Sequence, residues 1–211
     1  EEAIEAYKKA ISLKPDYAEA YNNMGLALRN QDKLQDSIEV YLKALSINPD
    51  YAQAYFNMGD SLKVQGNTEE SVKAYKKAIS IKGDFPEAFN NMGNVLADQG
   101  KEEKAIEAYN TALSMKPNYA EAYNNMGNAL KNQGKPEESI KAFIKALSIR
   151  PDMTEAYYNM GNDNWQFDVV ASNIQDYDSA KFIHDDGSKT NFTGQLGDVY
   201  STKVSDFGDN D

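Results

Sequence analysis

The feature that most constrains this chain is a five-residue block that returns at a fixed interval. The block Tyr21-Asn22-Asn23-Met24-Gly25 comes back four more times in closely related form, and each copy begins 34 residues after the previous one. The later copies begin at Tyr55, Phe89, Tyr123 and Tyr157. A second set of positions, which begins with Ile4, Tyr7 and Ala10, follows the same step without insertion or deletion. A strict period of this length predicts an array of small repeated units.

Each unit has the pattern of two amphipathic helices. Tyr21, Met24 and Leu28 share one helical face, and Ile38, Tyr41 and Leu45 share another, whereas the alternation of a strand is absent. Prolines follow the second helix of most units, where the missing N–H ends one helix before the next begins: Pro15, Pro49, Pro117 and Pro151. The third unit departs from this rule, because it has Gly83 there and Pro86 in the first turn of the following helix.

Glycines occupy two kinds of position. One set falls between the paired helices, where a left-handed C-cap is expected: Gly66, Gly100 and Gly134. The other set lies inside the first helix: Gly25, Gly59, Gly93 and Gly127. Since an interior glycine costs roughly 0.5–1 kcal/mol relative to alanine, its regular return predicts a close approach between helices, against small residues at the positions of Ala44.

A 34-residue period with these aromatic, Met-Gly, tyrosine, alanine and proline markers resembles the tetratricopeptide repeat (TPR) family. The resemblance implies an all-α fold, a right-handed superhelical solenoid of antiparallel helix pairs whose first helices line the concave wall. Residues 1–161 would form the array. It consists of a half unit at 1–17, whole units at 18–51, 52–85, 86–119 and 120–153, and the first helix of another unit from 154.

The chain changes character after Gly161. Residues 162–211 contain ten Asp, no Glu, three Lys and no Arg, so they carry −7 of the total charge of −11. Keeping the 34-residue step places Ile174, Tyr177 and Ala180 at apolar positions, which predicts a degenerate fifth repeat or cap over 162–187 and a weakly ordered acidic tail over 188–211. The alternative is a β-rich segment, with a hairpin between 181–184 and 190–193.

The exposed face predicted for the first helices is rich in amides, in three columns. The first column is Asn23, Asn57, Asn91, Asn125 and Asn159, the second is Asn22, Phe56, Asn90, Asn124 and Tyr158, and the third is Leu26, Asp60, Asn94, Asn128 and Asn162. Asparagine is a mediocre helix former, so helix formation alone does not explain these columns. The amide offers both a donor and an acceptor, which suits the backbone of an extended peptide.

The first column resembles the asparagine ladder of the tetratricopeptide region in O-linked N-acetylglucosamine transferases. That resemblance implies that these residues hold extended substrate segments in a concave groove. Two alternatives stay open for the asparagines: they bond neighbouring helices, or a recent duplication copied every column alike. A carboxylate clamp is disfavoured, because Arg29, Lys63 and Lys131 lie a turn away and Ala97 interrupts their column.

Composition narrows the function further. The net charge of −11 disfavours nucleic acid, the absence of cysteine removes thiolate chemistry, and no apolar run approaches the length of a membrane span. The single histidine, His184, has acidic neighbours and lacks the companions of a catalytic base. We therefore expect no enzyme, no cofactor and no metal. The predicted function is a protein-interaction scaffold, and the compartment is open, with a cytoplasmic one favoured.

Two other functions remain as alternatives. The chain begins on a second helix, without methionine, so we expect it to be a fragment. Ile4, Tyr7 and Ile11 are then expected to be partly uncovered, which would promote end-to-end association of copies. The array would otherwise be the substrate-recruiting arm of a larger glycosyltransferase-type enzyme.

Overall fold

The fold was taken from a computed structural model, which describes residues 1–161 and three short strands. Within residues 1–161 the chain forms ten α-helices joined by short turns. They are α1 (Glu2–Leu13), α2 (Ala18–Arg29), α3 (Leu34–Ile47), α4 (Ala52–Val64), α5 (Thr68–Ile81), α6 (Pro86–Asp98), α7 (Glu102–Met115), α8 (Ala120–Asn132), α9 (Pro136–Ile149) and α10 (Thr154–Gly161). The strands are β1 (Gln166–Asp168), β2 (Ala180–Ile183) and β3 (Lys189–Phe192).

The helices pack as consecutive hairpins in two compact units, Glu1–Pro117 and Asn118–Asp211. In the first unit α2 packs on α3, α4 on α5 and α6 on α7, and α1, α3 and α5 also contact the first helix that follows each of them. In the second unit α8 packs on α9, and α10 contacts both of them. The array over residues 1–161 is therefore all-α and built of helix pairs, as the sequence predicts.

The turn inside each hairpin needs a left-handed residue. Gly66, Gly100 and Gly134 have φ values of +85°, +69° and +72°, which confirms the predicted C-caps. After α4 the Asn67 N–H donates to the Leu62 carbonyl over 2.9 Å, the six-to-one bond of a Schellman turn. Asp32 occupies the same place in the first whole unit and has φ +60°, a conformation that most side chains avoid.

The helical glycines allow a close approach, but not against the alanines that the sequence suggested. A Cβ added to Gly25 would lie 2.6 Å from Cε1 of Tyr41, and Gly93 and Tyr109 show the same separation. The ring on the second helix therefore lies directly on the glycine of the first. These rings are almost fully buried: Tyr41, Tyr75, Tyr109 and Phe143. Ala44 instead packs with Leu45 and Ala54, the latter on the next first helix.

The described strands differ from the predicted fifth repeat. A second helix there would include Ala180–Ile183, but this segment is β2, which pairs with β1 and β3 in an antiparallel sheet of order β1-β2-β3. Both ends of β2 and β3 lie one residue before those of the alternative hairpin. Lys181 interrupts the helical apolar face, Phe182, Ile183 and Phe192 favour extended backbone, and pairing of β2 with β1 and β3 then selects the strand. The domain boundaries stay a prediction.

Candidate functional site

The predicted amide columns lie on the first helices α2, α4, α6, α8 and α10, and their members differ in exposure. Four of the asparagines are buried, with 4–6% of their surface exposed: Asn22, Asn57, Asn90 and Asn124. Asn23 is exposed, and Asp60, Asn91, Asn94, Asn125, Asn128 and Asn159 are half-buried. Asn162 lies outside the described residues. The columns are thus not one uniform surface.

Members of the first column connect neighbouring first helices. The amide of Asn57 on α4 donates to the side-chain oxygen of Asn22 on α2 over 2.9 Å, and Asn57 also accepts a bond of 3.0 Å from Gln53. In the second unit, Asn159 on α10 donates to Asn124 on α8 over 3.2 Å. Asn57 therefore has its donor and its acceptor occupied inside the protein, which is the role described by the first alternative above.

A phenylalanine changes this pairing in the next step of the array. Phe56 occupies the place of Asn22 in the second whole unit and offers no acceptor. The amide of Asn91 donates instead to the Asp60 carboxylate over 3.0 Å. Phe56 packs with Phe85, at 4.9 Å between ring centroids. The same asparagine position thus bonds to different columns, depending on which residue the preceding unit provides.

Asp60 makes three side-chain interactions within the described residues. Its carboxylate pairs with the guanidinium of Arg29 at 2.8 Å and accepts the hydroxyl of Tyr75 at 2.7 Å, in addition to the amide of Asn91. These groups come from α2, α5 and α6, while Asp60 itself is on α4. Because Arg29 is already paired, its charge is largely neutralised, which agrees with the low weight given to a carboxylate clamp.

In two of the four whole units the third column accepts a hydrogen bond from the central ring. Tyr75 donates to Asp60, and in the following unit Tyr109 donates to Asn94 over 2.8 Å. The last whole unit keeps the acceptor, Asn128, but replaces the tyrosine by Phe143. As a result, no hydrogen bond to Asn128 occurs among the described residues.

The first whole unit has the opposite mismatch. It keeps the hydroxyl of Tyr41 but has Leu26 in the third column, and the aliphatic side chain of Leu26 cannot accept a hydrogen bond. The Tyr41 hydroxyl is buried and has no hydrogen-bond partner among the described residues. Ser61 is near enough to lower the pKa of Tyr41 slightly, but the Ser61 hydroxyl lies 2.9 Å from the donating hydroxyl of Ser37. No hydrogen bond of normal geometry joins Tyr41 to Ser61, and the Tyr41 hydroxyl is unpaired among the described residues.

Burial controls the acidity of these rings. Loss of hydration raises the pKa of Tyr41 to about 12. The pKa of Tyr75 is raised by burial and then by the charge of Asp60, and that of Tyr109 by burial and then by the charges of Asp98 and Glu102. All three hydroxyls therefore stay protonated at neutral pH, and those of Tyr75 and Tyr109 act there as donors.

One open depression lies on these columns in the second unit. It has a volume of about 420 Å³ and is lined by residues of α8 and α10: Asn124, Asn128, Thr154, Glu155, Tyr158 and Asn159. The Tyr158 side chain is 67% exposed, and Thr154 and Glu155 are also exposed. Three predicted site residues thus meet there, one from each of the first, second and third columns.

Sequence reasoning had placed Tyr158 in a column but not in the site, and it missed Glu155 and Thr154. The signal for Glu155 was present, because the 34-residue step aligns it with Glu19, Glu87 and Glu121. Two of these carboxylates are occupied in the structure. Glu87 pairs with Lys116 at 3.0 Å, and Glu121 pairs with Arg150. Burial alone would raise the pKa of Glu87, but Lys116 outweighs this effect and lowers it.

Other candidate chemistry finds no support in the described part of the chain. No group of His, Asp and Glu residues there could hold a metal ion. None of the helices over residues 1–161 is both long enough and apolar enough to cross a bilayer. His184 and the acidic pairs beside it lie outside the described residues.

Family models cover most of the array. A TPR repeat model matches residues 1–32, 25–66, 59–100 and 93–134, and a tetratricopeptide repeat model matches residues 120–153. The chain belongs to the tetratricopeptide repeat family. The matched residues end where the last whole unit was predicted to end. This family consists generally of non-catalytic scaffolds that bind protein partners.

Solved structures of TPR proteins have the same architecture. A crystal structure of MamA matches with 29% identity and a TM-score of 0.66, over 70% of this chain and 86% of MamA. MamA 41-end from Desulfovibrio magneticus RS-1 matches with 19% identity and a TM-score of 0.66, over 72% of this chain and 86% of that one. PilF from Pseudomonas aeruginosa matches with 21% identity and a TM-score of 0.64, over 69% and 66% respectively.

A comparison with curated proteins gives no match. The family and the MamA neighbours support a protein–protein interaction scaffold for this TPR chain. These comparisons do not test the asparagine columns, so the role of the columns in peptide binding stays a prediction.

Proposed function

We propose that this TPR array holds an extended segment of a partner protein along the amide-bearing faces of its first helices. The observation that carries the proposal is Asn128, a half-buried amide that lines an open depression and makes no hydrogen bond among the described residues. Asn128 therefore has both a donor and an acceptor available for a peptide backbone. Such contacts depend little on the side chains of the bound segment, which suits a scaffold.

The packing of the columns refines the expected contacts. Asn57 is 5% exposed and bonded on both sides, so it would act by joining repeats rather than by touching the partner. Asn23 is exposed, and its side-chain oxygen accepts a bond of 3.2 Å from Asn22 while its amide nitrogen is directed to no described acceptor. The amides divide into inter-repeat connectors and ligand-facing groups.

A matched pair of variants tests this division. Peptides would be selected from a random library displayed on phage against the immobilised full chain, then synthesised and titrated by fluorescence anisotropy. Asn128→Ala should weaken binding several-fold with an almost unchanged melting temperature. Asn57→Ala should lower the melting temperature, because the buried Asn22 amide loses a partner, yet leave the affinity of the folded protein within about twofold.

A gain of a hydroxyl provides an independent test. Phe143→Tyr would place a donor opposite Asn128, as Tyr109 does for Asn94 in the preceding unit at 2.8 Å. The new bond should raise the stability by about 1 kcal/mol and reduce peptide affinity, since it occupies the Asn128 acceptor. Unchanged peptide binding by both Asn128→Ala and Phe143→Tyr would refute the proposed function.

Self-association remains a second candidate because one face of α1 is less covered than its counterparts. Ile4 is buried, at 7% exposure, contrary to the expectation from the sequence, but Tyr7, Ala10 and Ile11 are half-buried, whereas Tyr41 and Ala44, the equivalents of Tyr7 and Ala10, are fully buried. Leu13, at the end of the same helix, is 75% exposed. Light scattering over a concentration series would detect end-to-end assembly, and Tyr7→Ser should weaken it. A monomer at every concentration would eliminate this candidate.

A further inference from the structure

The depression between α8 and α10 is lined by a carboxylate, Glu155, that has no role in the peptide contacts proposed above. Glu155 lies in the first turn of its helix, at the position that Gln53 occupies in the second whole unit. In the two units between them this position is a glutamate in an ion pair, Glu87 and then Glu121. Glu155 is exposed and takes part in no ion pair among the described residues. It therefore presents to the depression a carboxylate that makes no direct salt bridge within these residues, although the charge of Arg150 acts on it from a distance.

The charged groups around Glu155 leave an excess of negative charge. The guanidinium of Arg150 is close to three carboxylates, Glu121, Asp152 and Glu155, and pairs directly with Glu121. Lys131, one turn beyond Asn128 on α8, already has an interaction of its own. An additional cation at the depression would thus be attracted, and an anion would be repelled.

The other lining groups fit the shape of a basic side chain. Glu155 and Tyr158 are three residues apart on α10, so they are neighbours on one helix face. The Tyr158 ring is 67% exposed, which leaves room for a cation at its face. Thr154 and Asn128 add oxygen acceptors at the rim. The Asn124 oxygen already accepts a hydrogen bond from Asn159, so we do not count it among the acceptors for a cation.

We propose that this depression, which we call the α8–α10 subsite, binds an arginine or lysine side chain of the partner segment. The inference rests on the proposed function, because it assigns a residue preference to one part of the same groove. The cation would pair with the Glu155 carboxylate, lie against the Tyr158 ring and donate to Asn128. Arginine fits better than lysine, since its planar guanidinium stacks on the ring while its several N–H groups reach different acceptors.

The test uses peptides selected from a random phage library on the full chain. Basic residues should be enriched in them, and replacing the key arginine by citrulline, its neutral isostere, should weaken binding about tenfold. Glu155→Gln should cause a similar loss with the arginine peptide and almost none with the citrulline peptide. Glu19→Gln is the matched control, since it removes an exposed carboxylate at the equivalent position of another unit and should have little effect.

The ring is tested in the same titrations. Tyr158→Ala should weaken arginine binding several-fold, whereas Tyr158→Phe keeps the aromatic face and should bind normally. Two outcomes would overturn the α8–α10 subsite and leave the proposed function standing. The selected peptides would depend on Asn128 but lack basic residues, or they would depend on Asn128 and bind the Glu155→Gln variant with unchanged affinity. Peptides that bind independently of Asn128 and Glu155 would overturn both.

Discussion

The same substitution at two equivalent tyrosines should have opposite effects on stability. Tyr75 donates to the Asp60 carboxylate over 2.7 Å, whereas the buried hydroxyl of Tyr41 meets no acceptor among the described residues, because Leu26 occupies the place of Asp60. Replacing either tyrosine by phenylalanine keeps the ring against its glycine and removes only the hydroxyl. The pair of variants therefore isolates one polar group in two environments.

The expected magnitudes follow from these environments. Tyr75→Phe should reduce the free energy of unfolding by about 1.5–3 kcal/mol, the usual contribution of a hydrogen bond to a charged group. Asp60 keeps Arg29 and Asn91, so the loss should not approach the cost of an unpaired buried charge. Tyr41→Phe should raise the free energy of unfolding by roughly 1 kcal/mol, because it removes a buried polar group that has no partner.

Urea unfolding followed by far-UV circular dichroism measures both effects. Since repeat arrays do not always unfold in one step, native-state hydrogen exchange of the amides in α3 and α5 should accompany it. The change should concentrate in the helix that carries the substitution. Equal losses at Tyr41 and Tyr75 would refute the reasoning, because the absence of an acceptor near Tyr41 would then have no energetic consequence.

Restoring the missing acceptor provides the complementary experiment. Leu26→Asn creates at position 26 the amide that Tyr109 uses at Asn94. The substitution removes some apolar contact of the half-buried Leu26, so its net effect has two parts. A double-mutant cycle with Tyr41→Phe separates them, and we expect a coupling of about 1 kcal/mol. A coupling near zero would mean that the hydroxyl does not reach position 26.

Three further predictions concern the packing and the turns. Gly93→Ala should destabilise the array by about 1–3 kcal/mol, because the new Cβ would lie 2.6 Å from the Tyr109 ring, while Gly83→Ala, with nothing within 4 Å, should change the stability by less than about 1 kcal/mol in the same urea titration. Asp32→Gly should raise the melting temperature by relieving a φ of +60°, with a gain of up to about 1 kcal/mol, and a decrease would contradict this. At alkaline pH the unfolded chain loses the Tyr41 proton near pH 10, whereas the pKa of Tyr41 in the folded chain is about 12. The contribution of Tyr41 to stability should therefore be constant below pH 10 and then fall by about 1.4 kcal/mol per pH unit up to about pH 12. Tyr75 and Tyr109, whose pKa values are also raised, add to the decline, so Tyr41→Phe should make it shallower, and an equally steep decline would count against the shift.

The sequence alone determined the architecture of the array. Its 34-residue step, the aromatic and glycine positions and the turn glycines specify helix pairs locally, because each unit contains the complete pattern of its own two helices. The sequence also predicted that Pro86 lies in the first turn of a helix, and Pro86 is the first residue of α6. The amide-bearing face was also predictable, because helical periodicity shows which positions of each first helix lie outside its apolar packing face.

Only the tertiary structure decided what each asparagine does. The first column has the same residue in all five copies, yet Asn57 is bonded to Asn22 while Asn91 is bonded to Asp60. The difference arises because an amide bonds to whatever the preceding unit offers, and Phe56 offers nothing. Hydrogen bonds between residues about 35 positions apart depend on how two neighbouring helices face each other. The pattern of a single helix does not contain that information.

The same reason explains the glycines and the strands. Helical periodicity showed that Gly25 must pack closely, but the ring of Tyr41 was identified as its neighbour only by the way the two helices cross. At Ala180–Ile183 the residues satisfy a weak helical pattern and a weak strand pattern, and pairing with β1 and β3 decides between them. Local pattern is sufficient where one conformation is strongly preferred, and partner segments decide where two are nearly equal.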